Sequence, residues 1–221
     1  MNYEQARFNM IEQQIRPWEV LDSQVLGLLA IIKREDFVPT TYRALAFADM
    51  EIPLTSPAQP GQCMLSPKVE ARILQDVALQ KHEKVLEIGT GSGYMAALLA
   101  HRAQQVVSLE IDADLAQIAR ANLQNAGIYN AEVRTANGAD EHLVSDLFDV
   151  IVLSGSVAKV PEHLLALLKI GGRLSAVVGN EPMMRATIVT KVGEAAWRTT
   201  QAWDTVAPRL LNFPEPSKFT F

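Results

Sequence analysis

The densest run of chemically useful residues is VLEIGTGSGY, from Val85 to Tyr94. Gly89, Gly91 and Gly93, with Thr90 between the first two, let the chain turn sharply and admit a ligand without a Cβ clash. A helix starting there presents free N–H groups. The chemistry this suits is cofactor binding. A dinucleotide fingerprint counted from Gly89 needs glycine at position 94, where this chain has Tyr94. Glu87, ahead of the turn, would repel a pyrophosphate but suits the cationic amino-acid end of S-adenosylmethionine, reached through water. Glu110 closes the next strand, about 20 residues beyond the glycines, where a carboxylate can accept both ribose hydroxyl protons. Asn137 and Gly138 follow the third strand. Asn137 can accept from an adenine amino group, and Asn-Gly is equally a standard turn pair.

These residues require strands that end and helices that begin at fixed places. KVLEI (84–88) reads as a strand, Met95–Arg102 as a helix, QVVSLEI (105–111) as a strand and Leu115–Asn125 as a helix. AEVRT (131–135), FDVIVLS (148–154) and RLSAVV (173–178) continue the pattern, with a helix near Pro161–Leu168. Each strand is apolar enough to be buried on both faces, which predicts a Rossmann-like, doubly wound, mostly parallel α/β sheet. RATIVTKV (185–192) and AWRTTQAWDTV (196–206), separated at Gly193, predict an antiparallel edge hairpin.

Ahead of this domain (81–221) lies a helical segment (1–80) expected to pack on it. Phe8, Ile11 and Ile15 fall at helical spacing until Pro17. Asp22 can cap a helix carrying Val25, Leu28, Leu29 and Ile32. Pro53, Pro57, Pro60 and Pro67 with Gly61 predict an extended loop, a common place for function. Ser66 and Pro67 then read as an N-cap and first helical residue, with Val69, Ile73 and Val77 on the buried face.

Composition narrows the class. The 221 residues are 48% hydrophobic and 20% charged, as in ordinary globular enzymes. A net charge of −5 argues against a nucleic-acid partner held by a broad basic surface. Apolar stretches fall short of a membrane span, and the start has no signal-peptide core, so no membrane partner and a cytoplasmic location are expected. Cys63 is the single cysteine, and His82, His101, His142 and His163 lack metal-ligand spacing, so no metal site is expected. Trp18, Trp197 and Trp203 suit packing or edge positions.

The E-x-G-x-G-x-G pattern resembles the first motif of S-adenosylmethionine methyltransferases. Further blocks resemble the protein-L-isoaspartate O-methyltransferase family: ARFNMIEQQIR (6–16), REDFVP (34–39), AFADMEIPL (46–54), GQCMLSP (61–67), LFDVIVLSG (147–155) and VPEHLLALLKIGGRL (160–174). The resemblance spans roughly residues 6–180. It implies S-adenosylmethionine as cofactor and carboxyl methylation of isoaspartyl residues in damaged proteins or peptides.

The departures gather at the acceptor. Members of that family usually read G-Q-T-I-S-Q-P in the loop, with the serine hydroxyl beside the reacting groups. Here Cys63 stands at the threonine position, Leu65 at the serine position and Ser66 at the glutamine position. Ser66 could supply the hydroxyl only after a one-residue shift of the loop. Ser154, Gly155, Ser156 and Val157 replace an alanine-rich turn, and Ala136, Asn137 and Gly138 replace G-D-G. A diverged relative with another acceptor, or a cofactor-binding module without transfer activity, is the alternative reading.

Overall fold

The computed structural model describes residues 2–141 and 146–215. The chain opens with α1 (Tyr3–Met10), continues through a π-helical turn over Ile11–Ile15, and passes Pro17 in a 3-10 turn, Arg16–Trp18. Met10, Ile11 and Ile15 point inward, whereas Phe8 lies on the outer side. Asp22 caps α2 (Ser23–Ile31), its carboxylate accepting from the amides of Gln24 (2.7 Å) and Val25 (3.4 Å). Val25, Leu28, Leu29 and Ile32 are buried, as their spacing predicts.

The proline-rich loop contains a short ladder: β1 (Ile52–Pro53) pairs antiparallel with β2 (Cys63–Met64). α3 (Pro67–Val77) follows with Val69, Ile73 and Val77 buried. Ser66 occupies its N-cap position, but its hydroxyl makes no capping bond.

Next come β3 (Lys84–Ile88), α4 (Tyr94–Arg102), β4 (Gln105–Glu110), α5 (Ala113–Asn125), β5 (Ala131–Thr135) and β6 (Phe148–Val157). α6 (Glu162–Ala166), β7 (Leu168–Asn180), β8 (Met183–Gly193) and β9 (Ala196–Asp204) complete the order. The helix expected near 161–168 is therefore shorter, because β7 already begins at Leu168. The seven-stranded sheet has the order β5-β4-β3-β6-β7-β8-β9. Strands β5 to β7 are parallel, while β8 and β9 add antiparallel on one edge. The chain winds outward from β3 to β5 and returns to β6. The crevice at the carboxyl ends of β3 and β6 is thus the switch point where such sheets bind ligands.

One expectation fails at β5. It is the sheet's edge, only Val133 is buried, and Glu132 and Arg134 pair with each other on the surface at 2.7 Å. β6 is irregular at the switch point. Ile88 of β3 faces Leu153, while the register with β7 jumps from Val152 opposite Ser175 to Ser156 opposite Val177. Leu153, Ser154 and Gly155 thus stand against the single residue Ala176, a bulge of the kind that re-aims side chains beside active sites.

One core cluster joins the N-terminal segment to the sheet, with Met10, Ile15, Leu29, Ile73, Val85, Leu98 and Val106 among its members. Each such side chain contributes roughly 1.5–3 kcal/mol on burial, so this shared core fixes the loop 52–67 over the sheet. The opposite face packs Leu86, Ile88, Ile151, Leu153, Leu164 and Phe213. Among the described residues, no helix is long and apolar enough to cross a membrane.

Candidate active site

The glycine turn takes the backbone that its sequence requires. Gly89, Gly91 and Gly93 have φ of 92°, 53° and 86°, in the left-handed region that favours glycine. The amides of Gly89 and Thr90 donate to the Leu109 carbonyl at 2.9 and 3.3 Å, which ties the turn to the end of β4. Glu110 is buried there. Its Oε2 accepts from the Gly91 amide at 2.7 Å and its Oε1 from the Asp112 amide at 3.1 Å. A carboxylate offers about four lone-pair positions, so two stay free for ligand hydroxyls.

A cavity of about 320 Å³ opens over this turn, bordered by Gly89, Gly91, Glu110, Asn137, Gly138 and Ser154. Its roof comes from two other parts of the chain. The loop supplies Gly61, Gln62 and Cys63, and the C-terminal stretch supplies Arg209, Leu210, Leu211 and Phe213. Gln62 Nε2 reaches across to Asp112 Oδ2 at 3.0 Å. Leu210 donates its amide to Ser156 O at 2.9 Å, and the Ser156 amide donates to Pro208 O at 2.7 Å. These bonds hold the stretch against the bulged end of β6. Nothing in RLLNF announces that role, because this contact is made by backbone across a long sequence separation.

Glu87 is fully buried behind the turn and does not border the cavity. The sequence reading set it against the cofactor's cationic end. Its Oε2 lies 2.6 Å from Ser108 Oγ and its Oε1 2.8 Å from Ser154 Oγ, both serines donating when the carboxyl is ionised. Ser108 Oγ and Thr90 Oγ1 lie 2.6 Å apart, and Thr90 is the donor whenever Ser108 gives its own proton to Glu87. Burial pushes the Glu87 carboxyl up to about 8, against the lowering by the two serines and with a further raise from Glu70 and Glu110.

Asn137 borders the cavity, but its side chain makes the turn contacts of the second sequence reading. Nδ2 donates to Asp140 Oδ1 at 2.7 Å, and Oδ1 accepts from the Ala139 amide at 3.2 Å. The oxygen expected to meet an adenine amino group has one of its two lone pairs engaged there. At Gly138 a Cβ would lie 2.3 Å from Ile88 Cγ2, so only glycine lets the backbone pack this closely.

Leu65 is buried and borders a smaller cavity under the glycine turn with Cys63, Glu70, Thr90, Tyr94 and Ser154. Its carbonyl accepts from Arg34 Nη2 at 2.7 Å. Ser66 borders neither cavity. With the loop in the unshifted register, its backbone (φ −62°, ψ 146°) leads straight into α3, and the hydroxyl is not delivered to the site. Cys63 borders both cavities and a third of about 420 Å³ with Glu51 and Glu181. Burial, then Glu51, pushes its thiol up to about 12, so it stays protonated and unreactive. Among the described residues, no group of three or more His, Cys, Asp and Glu could hold a metal ion.

A glycine turn, a ribose-height carboxylate and a switch-point cavity on this sheet define an S-adenosylmethionine-dependent methyltransferase of Rossmann-like type. Residues 5–206 match the profile of the family protein-L-isoaspartate(D-aspartate) O-methyltransferase. The protein-L-isoaspartate O-methyltransferase of Koribacter versatilis is 36% identical over 193 residues, covering 87% of this chain and 85% of that one. That of Rhodopseudomonas palustris is 35% identical over 214 residues, covering 94% and 96%. A Plasmodium falciparum chain described as a protein-L-isoaspartate O-methyltransferase, in complex with S-adenosyl-L-homocysteine, superposes with a TM-score of 0.77. It is 18% identical and covers 95% of this chain and 98% of its own length, which is a likeness of fold. The chain belongs to the protein-L-isoaspartate O-methyltransferase family.

Proposed function

We propose that this chain transfers the methyl group of S-adenosylmethionine to the free α-carboxylate of isoaspartyl residues in damaged proteins or peptides. The observation that carries the reading is the cavity joining the glycine turn and Glu110 to Gly61, Gln62 and Cys63 of the loop, with Leu65 in the smaller cavity that Cys63, Gly89, Gly91 and Ser154 also border. The cofactor's ribose would rest on Glu110, its base toward Asn137–Gly138, and its amino-acid end along the turn. Thr90 and Glu87 support that end indirectly, through Ser108 and Ser154.

In the reaction a carboxylate oxygen uses a lone pair to form the new O–CH3 bond. The S–CH3 bond breaks, its electron pair stays on sulfur, and no proton moves. The acceptor is already an anion near neutral pH, so alignment and exclusion of water suffice. Leu65 supplies no hydrogen bond to that anion, which favours a slow enzyme, or the second reading of a different acceptor.

The deciding experiment follows labelled methyl from S-adenosylmethionine into an isoaspartyl peptide, with the normal aspartyl peptide as control. Slow transfer to the isoaspartyl peptide alone is expected. Leu65→Ser is expected to raise it by roughly ten- to a hundredfold, the worth of one hydrogen bond to a charged group, with cofactor affinity hardly changed. No label in any isoaspartyl peptide would favour the other acceptor.

A further inference from the structure

We propose that Ser154 donates a hydrogen bond from its hydroxyl to the acceptor carboxylate, a contact separate from the one that Leu65 leaves unmade, with Glu87 orienting it from behind. This rests on the carboxyl-transfer reading above. Ser154 is in the bulge of β6 at the switch point and borders both the cofactor cavity and the smaller cavity that contains Leu65. A regular β6 would have placed it in line with the β7 ladder. The bulge instead sets it between the glycine turn and the loop, where the methyl group passes from one reactant to the other.

The direction of its hydrogen bond depends on Glu87. In the proposed arrangement Thr90 donates to Ser108 and Ser108 to Glu87 Oε2, which puts the proton of a neutral Glu87 on Oε1, 2.8 Å from Ser154 Oγ. Neutral Glu87 then donates to Ser154, which leaves the Ser154 proton free to point into the cavity. An ionised Glu87 reverses this. It takes the Ser154 proton, and Ser154 meets the acceptor carboxylate with a lone pair.

The groups around Glu87 hold it neutral in the resting protein. Glu110 from β4 and Glu70 from α3 both oppose its ionisation, with Glu70 paired to Arg34. The Cys63 thiol and the Tyr94 phenol are both pushed up by burial and add no charge. In the loaded site the cofactor's net positive charge is offset by the acceptor's negative one. Ionisation of Glu87 at about 8 therefore sets an alkaline limb: transfer is full below it and falls as pH rises through it.

The test measures kcat and KM for an isoaspartyl peptide from pH 6 to 10, with S-adenosylhomocysteine affinity measured alongside. Ser154→Ala is expected to lower kcat by roughly ten- to a hundredfold while cofactor affinity changes less than threefold. Ser154→Thr, which keeps a hydroxyl, should recover much of the loss. Glu87→Gln donates to Ser154 at every pH and should abolish the alkaline limb. An active wild type with Ser154→Ala equally fast, or with the alkaline limb intact in Glu87→Gln, overturns this role for Ser154 alone. A wild type that binds the cofactor but transfers nothing to the peptide overturns the acceptor reading and this inference together.

Discussion

Replacing Arg34 with leucine is expected to destabilise the protein by about 3–5 kcal/mol at pH 8, the cost of breaking a buried ion pair from one side. Arg34 is completely buried. Its Nη1 bonds Glu70, its Nη2 bonds the Leu65 carbonyl at 2.7 Å, and the guanidinium lies 5.0 Å from the centre of the Tyr94 ring. One side chain thus connects the N-terminal segment, the acceptor loop, α3 and the start of α4. Burial pushes the Glu70 carboxyl up to about 7 even with Arg34 lowering it. A carboxyl whose folded pKa lies above its unfolded value contributes stability that is complete below the unfolded value and is lost as pH rises through the folded one. Without Arg34 the folded value climbs further, so the loss should be larger at pH 8.5 than at pH 5.5. Denaturant unfolding at the two pH values measures this. Arg34→Leu combined with Glu70→Leu should recover at least half the loss, since no buried charge is stranded. An equal cost at both pH values would mean that packing, and not the ion pair, sets the effect.

Glu110→Ala should have the largest effect on binding, weakening S-adenosylhomocysteine by roughly a hundredfold or more. Two hydrogen bonds from ribose hydroxyls to a buried carboxylate are each worth about 1.5–3 kcal/mol. The substitution also strips the Gly91 amide of its acceptor, so the glycine turn loses its brace to β4. Calorimetry separates the contributions when 2′-deoxyadenosine and 3′-deoxyadenosine analogues of the ligand are compared on both proteins. Wild-type affinity in the variant would remove Glu110 from the ribose site.

The contrast between Glu87 and Glu110 shows where sequence reading stops. Both carboxylates were legible as strand-end residues beside a cofactor turn. Which face each side chain takes depends on sheet alternation and register. Glu87 stands opposite Ser108 and Val152 inside the sheet and is sealed among them, whereas Glu110, the last residue of β4, turns over the strand end. The glycine turn, the parallel strands and the edge hairpin were legible because their backbone needs are local and periodic. Ser154 was visible only as a departure, because a bulge is a property of two strands together. β5 was misjudged for the opposite reason: its apolar residues are those of an edge, and pattern alone does not give strand order.

The wall formed by Leu210, Leu211 and Phe213 lies past residue 206, where the family profile ends, yet it closes a cavity whose other sides carry the shared cofactor motif. Leu210 Cδ2 would be 2.9 Å from a Cβ at Gly89 and 2.8 Å from one at Gly155, so it packs directly against the glycine turn and the bulge. For inhibitor chemistry this divides the cavity into a half built on the cofactor motif and a half built on residues beyond the family profile. A nucleoside scaffold alone would engage every relative with the same turn. Substituents that grow from it toward Leu210 and Phe213 would meet a surface that the family pattern does not specify, and selectivity for this chain would be built there.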